Sequence, residues 1–235
     1  LGSAPRELAA AARERHADLV VVATHGRTGL TRAVLGSVTS SLVRVADVPV
    51  LVVPAEGYIP TAFDRILAAV DLSPVSRPVL DAAGAFARTS GEPRIRVLST
   101  FEHPLLGSSE GELLPHYASK EEIEALGEQH REEVERLARS AHLEGVPVDV
   151  EVMSKAPPFR VILDVAELTE ADLIVVGTSG RNAWHRMIVG STATRVLNGA
   201  RRPVLVIPHE VQQEVPEGQK LRRPSPGHTP LPADG

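Results

Sequence analysis

Gly177-Thr178-Ser179-Gly180, followed after nine residues by Gly190-Ser191, is the stretch whose residue types and spacing suit a definite chemistry. An apolar run, Leu173–Val176, leads into it, and Ser191–Asn198 reads as a helix. A strand that feeds a glycine-rich loop and then a helix amino terminus is a phosphate-binding arrangement. Glycines let the backbone approach an anion, unpaired N–H groups point at it, and the helix dipole adds a favourable field. Ser191, at the helix start, can cap the helix or bond a phosphate oxygen. Without further support such a loop is weak evidence, because a tight strand-to-helix turn also needs glycine.

Support comes from a second occurrence in the same chain. Ala17–Pro54 aligns with Ala171–Pro208 without a gap at a constant offset of 154 residues, and 17 of the 38 paired positions are identical. Among them are Asp18/Asp172, Gly26/Gly180, Arg27/Arg181, Arg32/Arg186, Gly36/Gly190, Ser37/Ser191 and the closing Pro-Val-Leu-Val. A repeat of this length exceeds a solenoid unit and predicts a tandem domain. The earlier occurrence departs from the pattern at its first position, where Ala23 replaces the leading glycine.

The pattern Gly-x2-Gly-x9-Gly-Ser, closed by a Pro-Val-Leu-Val strand and preceded by Ile66-Leu67-Ala68-Ala69-Val70-Asp71, resembles the universal stress protein (UspA-like) family in its ATP-binding subgroup. The resemblance covers most of Phe63–Pro208 and part of Leu1–Pro54. It implies a Rossmann-like three-layer α/β/α sandwich, akin to the adenine nucleotide α-hydrolase fold. Its sheet would have five parallel strands in the order 3-2-1-4-5, with a partial second copy beside it. Carried over by resemblance, Gly177, Gly180, Gly190 and Ser191 would hold ribose and phosphates, with Thr192 adding a donor. Asp71 would contact the adenosine part, and Thr100 would offer backbone groups to the adenine edge. The implied cofactor is ATP with Mg. Gly26, Gly36 and Ser37 form at most a vestigial second site, because no counterpart of Asp71 precedes them. The resemblance also implies that Val50–Val53 and Val204–Ile207 pair, in a homodimer or an intramolecular pseudo-dimer.

The elements that must position these residues are legible in order. Pro5–Arg15 is alanine-rich and helical, and Asp18–Ala23 is apolar without alternation, as in a strand covered on both faces. A helix near Gly36–Val45 and a strand at Pro49–Val53 follow. Residues 1–55 read as the carboxyl-terminal half of a first domain, 56–62 as a linker and 63–208 as a complete domain. Residues 209–235 read as a disordered tail. The first half is expected to be part of a longer tandem protein and to dock on the second. In the complete domain Arg65–Val70 is a strand ending at Asp71, and Ser73-Pro74 signals a helix with Ser73 as its cap. Arg94–Phe101 is a second strand and Glu102–Tyr117 a mobile loop or flap. Ser119-Lys120-Glu121-Glu122 fits a capping box. Behind it Ile123, Leu126, His130, Val134, Leu137 and Ala141 recur at helical spacing. Val148–Val152 and the helix Pro158–Leu168 complete a βαβ order, which implies a parallel sheet. Ligands in such sheets bind beyond the carboxyl ends of the strands, where strand order reverses, and Asp71 and Gly177 both fall there.

Composition narrows the function classes. A formal charge of −5 and seven aromatic residues in 235 argue against nucleic-acid binding, since neither a basic stripe nor a stacking platform is present. The absence of cysteine removes disulfides and thiolate chemistry and suits a reducing cytoplasm. No apolar run reaches the roughly 20 residues of a membrane helix, and no signal peptide is recognisable. The nine histidines, His25 and His185 among them, form no metal-ligand pattern. Arg27, Arg32, Arg181 and Arg186 could counter phosphate charge, although surface arginines usually only solvate a face. No Gly-x-Ser-x-Gly, no Gly-Lys-Ser/Thr loop and no evident general base is present, so a catalytic site is not expected. Three readings remain: an ATP-binding stress-response switch acting on an unknown protein partner, an interaction module of the same fold without nucleotide, and a weak ATPase.

Overall fold

Every strand among the described residues joins one sheet, whose middle is built from segments far apart in sequence. The computed structural model describes residues 3–24, 35–101, 119–154, 157–178 and 189–209. In chain order the elements are α1 (Ala4–Glu14), β1 (Val20–Ala23), α2 (Ser37–Val45), β2 (Val50–Val53), β3 (Arg65–Val70), α3 (Ser76–Ala87) and β4 (Arg94–Phe101). Then come α4 (Lys120–Ser140), β5 (Val148–Ser154), α5 (Pro158–Leu168), β6 (Leu173–Gly177), α6 (Ser191–Gly199) and β7 (Val204–Ile207). The expected flap and the segment after His209 lie outside the described residues.

Local chemistry accounts for most boundaries. The Ser119 hydroxyl accepts the Glu122 N–H at 3.1 Å, and the Glu122 carboxylate accepts the Ser119 N–H at 2.8 Å, so the capping box opens α4 as expected. Its inward stripe is His130, Val134 and Ala138. Pro158 occupies the first turn of α5, where its missing N–H costs nothing. The start of α3 differs from expectation: Ser73 is not its cap. The Ser76 N–H bonds the Ser73 carbonyl, and the helix begins three residues later, at Ser76. The carboxylate that organises this turn is Asp71.

The central strands are buried on both faces. Leu67, Leu98, Ile174, Val176, Val204 and Val206 face one layer, made by α1, α2, α5 and α6. Ile66, Ala68, Ile95, Val97, Leu173, Val175 and Leu205 face the other, made by α3 and α4. The three-layer α/β/α architecture therefore holds, but the sheet does not match the five-stranded parallel expectation. It has seven strands in the order β1-β2-β7-β6-β3-β4-β5 and is mixed. Strands β7, β6, β3, β4 and β5 run parallel to one another, and β1 is parallel to β2. β2 meets β7 antiparallel, with Val50 opposite Val206, Leu51 opposite Leu205 and Val52 opposite Val204.

That junction also overturns the tandem form with a truncated first domain and a separate partial copy. Residues 20–53 continue the sheet of residues 65–207 and share its core: Leu42, Val43, Val50 and Val52 lie in one apolar cluster with Val161, Val196 and Val204. The physical reason is the edge itself. Two apolar strands with open N–H and C=O rows are hazards apart and are satisfied together. The two strands expected to pair, Val50–Val53 and Val204–Ile207, do so within the chain.

Away from the strand ends, Asp81 on α3 ties down the chain after α4. It accepts the His142 N–H at 2.9 Å and lies within 3.0 Å of His142 Nδ1, and Arg77 pairs with it at 3.2 Å. Burial pushes this carboxyl up, but the His142 N–H, Arg77 and the His142 ring together hold it below its ordinary value of 3.8. A carboxyl depressed on folding contributes stability above its unfolded pKa and loses it as pH falls through the folded one. Asp81→Asn should therefore flatten the loss of stability below about pH 4 in urea titrations across that range. Leu42→Ala, at a fully buried position on α2, should cost about 2–5 kcal/mol and shift one cooperative transition. A first, separate transition for residues 1–54 would contradict the single body.

Candidate functional site

β3 and β6 are parallel neighbours, with Ile66 opposite Leu173 and Ala68 opposite Val175, so their carboxyl ends reach the same rim of the sheet. Asp71 follows β3 and Gly177 closes β6. The two ends touch: a Cβ on Gly177 would overlap Val75 Cγ1, in the turn after Asp71. Here glycine is required by close approach, because Val75 is β-branched and cannot swing away. The structure thus brings together two residues that are distant in sequence.

Asp71 is held by its own turn. Its Oδ1 accepts the Ser73 N–H and the Ser76 hydroxyl, both at 3.1 Å, while Ser76 Oγ accepts the Asp71 N–H at 3.2 Å. Between them Leu72 adopts φ +61°, a left-handed conformation that costs a non-glycine residue about 1–2 kcal/mol. The turn is strained, and the Asp71 hydrogen bonds hold it. The Ser73 hydroxyl, buried beside them, has no hydrogen-bond partner.

Thr100 is half-buried near the carboxyl end of β4, one residue beyond the last β3–β4 pair, Val70 with Ser99. Its neighbour Ser99 reveals a group that sequence reasoning left as a helix-face residue. The Ser99 hydroxyl donates to the Val70 carbonyl at 2.8 Å and lies 2.9 Å from His130 Nε2. Since the only hydroxyl hydrogen is committed to Val70, His130 must donate through Nε2–H. The buried His130 ring also lies 5.7 Å from that of Phe101. The signal was the place of His130 on the apolar stripe of α4, which required an inward polar partner.

On the β6 side, the Thr178 carbonyl accepts the Gly190 N–H at 2.6 Å, closing the neck of the loop, and Thr178 Oγ1 accepts the His209 N–H at 3.0 Å. Gly190 is the N-cap of α6 and has no side chain to satisfy the first amides. Ser191 is therefore the first helical residue rather than the cap, and it is exposed. Thr192 beside it is half-buried. The amides of the first turn have no intrahelical acceptor, which is the donor array an anion uses. Gly180, Arg181, His185 and Arg186 lie outside the described residues.

The earlier glycine stretch has the same neck: Gly36 caps α2, its N–H bonds the Thr24 carbonyl at 2.9 Å, and Ser37 is exposed. Gly26, His25, Arg27 and Arg32 lie outside the described residues. No aspartate-bearing strand end lies beside β1 among the described residues. The Leu35 N–H crosses to Asn198 Oδ1 of α6 at 2.8 Å, which links the exit of the first stretch to the helix of the second. Among the described residues no group of three or more His, Asp or Glu could hold a metal ion, and no helix is long and apolar enough to cross a membrane.

Comparison with known proteins agrees with this architecture. The model of the universal stress protein family matches residues 1–54 and 62–208. The chain is 32% identical over 197 residues to the universal stress protein Rv2005c of Mycobacterium tuberculosis, covering 81% of this chain and 61% of that protein. It is 30% identical over 146 residues to universal stress protein A homolog 1 of Coxiella burnetii, covering 62% of this chain and 96% of that protein. A universal stress protein structure from Archaeoglobus fulgidus superposes with a TM-score of 0.61 at 22% identity, over 87% of this chain and 66% of that one. The chain belongs to the universal stress protein family. It spans about three fifths of the length of its mycobacterial relatives.

The contact between Gly177 and Val75 gives a direct test of how the rim is built. Gly177→Ala should destabilise the fold by about 1–3 kcal/mol through overpacking, whereas Ala23→Gly, at the exposed equivalent, should change it by less than about 1 kcal/mol. Chemical denaturation of both variants checks this.

Proposed function

We propose that the chain binds ATP at the rim shared by β3 and β6 and acts as a nucleotide-dependent regulatory switch in the stress response, with at most slow hydrolysis. The observation that carries this reading is the convergence at one rim of the Asp71 turn and the uncapped amino terminus of α6, where Ser191 is exposed. The phosphates would lie against Gly177, Gly180, Gly190, Ser191 and Thr192, and the adenosine part against Asp71 and the Thr100 backbone. Mg would arrive with the nucleotide and neutralise phosphate charge. The residues fit a phosphate better than a resident metal, because the donors at α6 are amides and a hydroxyl. Gly26, Gly36 and Ser37 would accept at most a phosphate. The absence of cysteine suits a cytoplasmic setting.

The switch would work through α6. An anion on its first turn acts on the helix that Asn198 ties to Leu35, so occupancy at one glycine stretch biases the other. The ligand shifts the equilibrium only by its differential affinity for the two arrangements. One observation favours a second reading, an interaction module without nucleotide: Asp71 is already engaged by Ser73 and Ser76 and has a structural role of its own.

Thermal melting of nucleotide-stripped protein with ATP and Mg separates the two. At about 100 times Kd, binding adds about 2.7 kcal/mol to stability, a shift of several degrees. Gly190→Val should abolish that shift and Ser191→Ala should reduce it, with both variants folded. Asp71→Ala should lower the ligand-free melting temperature as well, because the Leu72 turn loses its acceptor. No shift in the stripped parent overturns the nucleotide reading and supports the interaction module.

A further inference from the structure

The antiparallel seam turns the carboxyl end of α2 toward the rim of β6. Val50 lies opposite Val206, and Val206 lies opposite Val176, the residue before Gly177. Arg44 stands in the last turn of α2, shortly before Val50, so the chain carries it to the end of the sheet that holds Gly177 and the start of α6. Arg44 is exposed and has no hydrogen bond or ion pair among the described residues. Asp47, the nearest carboxylate along the chain, is taken by Arg13 at 2.8 Å.

A two-fold relation fixes the place of Arg44 more closely. Leu51 pairs with its own equivalent at the 154-residue offset, Leu205, and Val50 pairs with Val206, the equivalent of Val52. The seam is thus symmetric, and a contact across it has a mate position. The Leu35 N–H on Asn198 Oδ1 is such a contact. Its mate joins Val189, the equivalent of Leu35, to Arg44, the equivalent of Asn198; Leu35 and Val189 pack in the same apolar cluster. The exchange reverses the chemistry. Asn198 accepts the amide that precedes Gly36 and closes it, whereas a guanidinium has five donors and no acceptor. Arg44 cannot close the Val189 N–H, and no other described residue does. That amide joins the open amides of the first turn of α6, with a cation on its side of the rim. The rim shows one more unfilled group, the buried Ser73 hydroxyl, in the turn whose Val75 touches Gly177.

We propose that Arg44 is a ligand-binding residue of the β6 rim, supplied across the seam by α2, and that it pairs with the terminal phosphate of a nucleoside triphosphate. This role rests on the nucleotide reading of that rim. Strand order selects the phosphate. On that reading the adenosine part lies at β3 and β4 and the helix amides follow at β6, while Arg44 arrives from the far side, beyond β7. A ligand whose base is seated at one end reaches the other end only with its outermost phosphate. A guanidinium offers that phosphate two parallel N–H donors and a full charge, which the amides lack. The rim thereby distinguishes ATP from ADP, and its specificity depends on the seam. Arg44 also faces the negative end of the α2 dipole, but that contribution to stability is the same for every ligand.

Calorimetric titration of ATP and of ADP, each with Mg, into the nucleotide-stripped full chain tests this role. Arg44→Ala should weaken ATP about tenfold and leave ADP within about twofold, as loss of one charge-assisted pair predicts. Arg44→Asn, which installs the side chain found at the equivalent place, should lose as much, and Arg44→Lys should lose less. Added salt should narrow the gap between the parent and Arg44→Ala for ATP. The ratio of ATP to ADP affinity is read on a single variant, so partial unfolding, which lowers both alike, does not imitate the result. ATP binding that ignores Arg44, or an equal loss for ATP and ADP, overturns the role of Arg44 and leaves the nucleotide reading standing. A parent that binds neither nucleotide overturns both.

Discussion

The hydrogen-bonded seam between β2 and β7 is the constraint on which the rest depends. Each strand carries the sequence Pro-Val-Leu-Val and is apolar on both faces. Two strands of matching sequence that meet through the same edge are related by a rotation, and a rotation reverses direction. They therefore pair antiparallel even though every other pair in the sheet is parallel. The seam satisfies two open edges at once and joins α1 and α2 to the layer of α5 and α6. It also places α6 within reach of Leu35, so the same contact that completes the sheet connects the two glycine stretches.

Local rules explain what was legible beforehand. Arg65–Val70, the Ser119 capping box and the proline start of α5 all depend on residues within a turn or two, and the structure has them where the pattern puts them, whereas the stripe of α4 holds only in part: His130 and Val134 are buried with Ala138, but Leu126 is exposed. Strand order is different in kind. A short apolar run shows that it is buried on both faces but not which edge it will meet, so five parallel strands and a separate partial copy were the natural expectation. The three-layer α/β/α architecture holds, whereas strand count, strand order, direction at the seam and the number of bodies differ from the expectation. At the site, the rim itself was legible because strand ends and glycine spacing are local. The Asp71 turn was misread in one detail: Ser73 looked like a cap, yet Asp71 supplies the acceptor because Leu72 turns the chain back on itself. Ser99 and His130 were unreadable as a pair, since 31 residues separate them.

The two glycine stretches differ through their neighbours rather than through their own sequence. Both have the same neck, a glycine N–H on a threonine carbonyl, and both open a nine-residue helix without a side-chain cap. At their first position one has Gly177 and the other Ala23. Gly177 is pressed by Val75 from the turn after β3, and nothing larger fits. Ala23 is exposed, and its strand has no neighbour on that side among the described residues. Among the described residues, only the β6 stretch has a strand end like Asp71 beside it.

On the proposed reading, the Asp71 turn also bears on why binding should exceed cleavage. A carboxylate fixed by the Ser73 N–H and the Ser76 hydroxyl is a preorganised acceptor, aimed before any ligand arrives, and little entropy remains to be lost when a hydroxyl docks on it. The same hydrogen bonds make it a poor candidate for moving a proton. Oδ1 is committed to two donors, and freeing it would release the left-handed Leu72 turn that they stabilise. The amides at α6 can balance phosphate charge in the ground state, but they offer neither a base for water nor a cation fixed by the protein. On that reading a site built from fixed acceptors and helix-end amides would hold a nucleotide and report its presence through α6, and hydrolysis would need a group that the described residues do not place there.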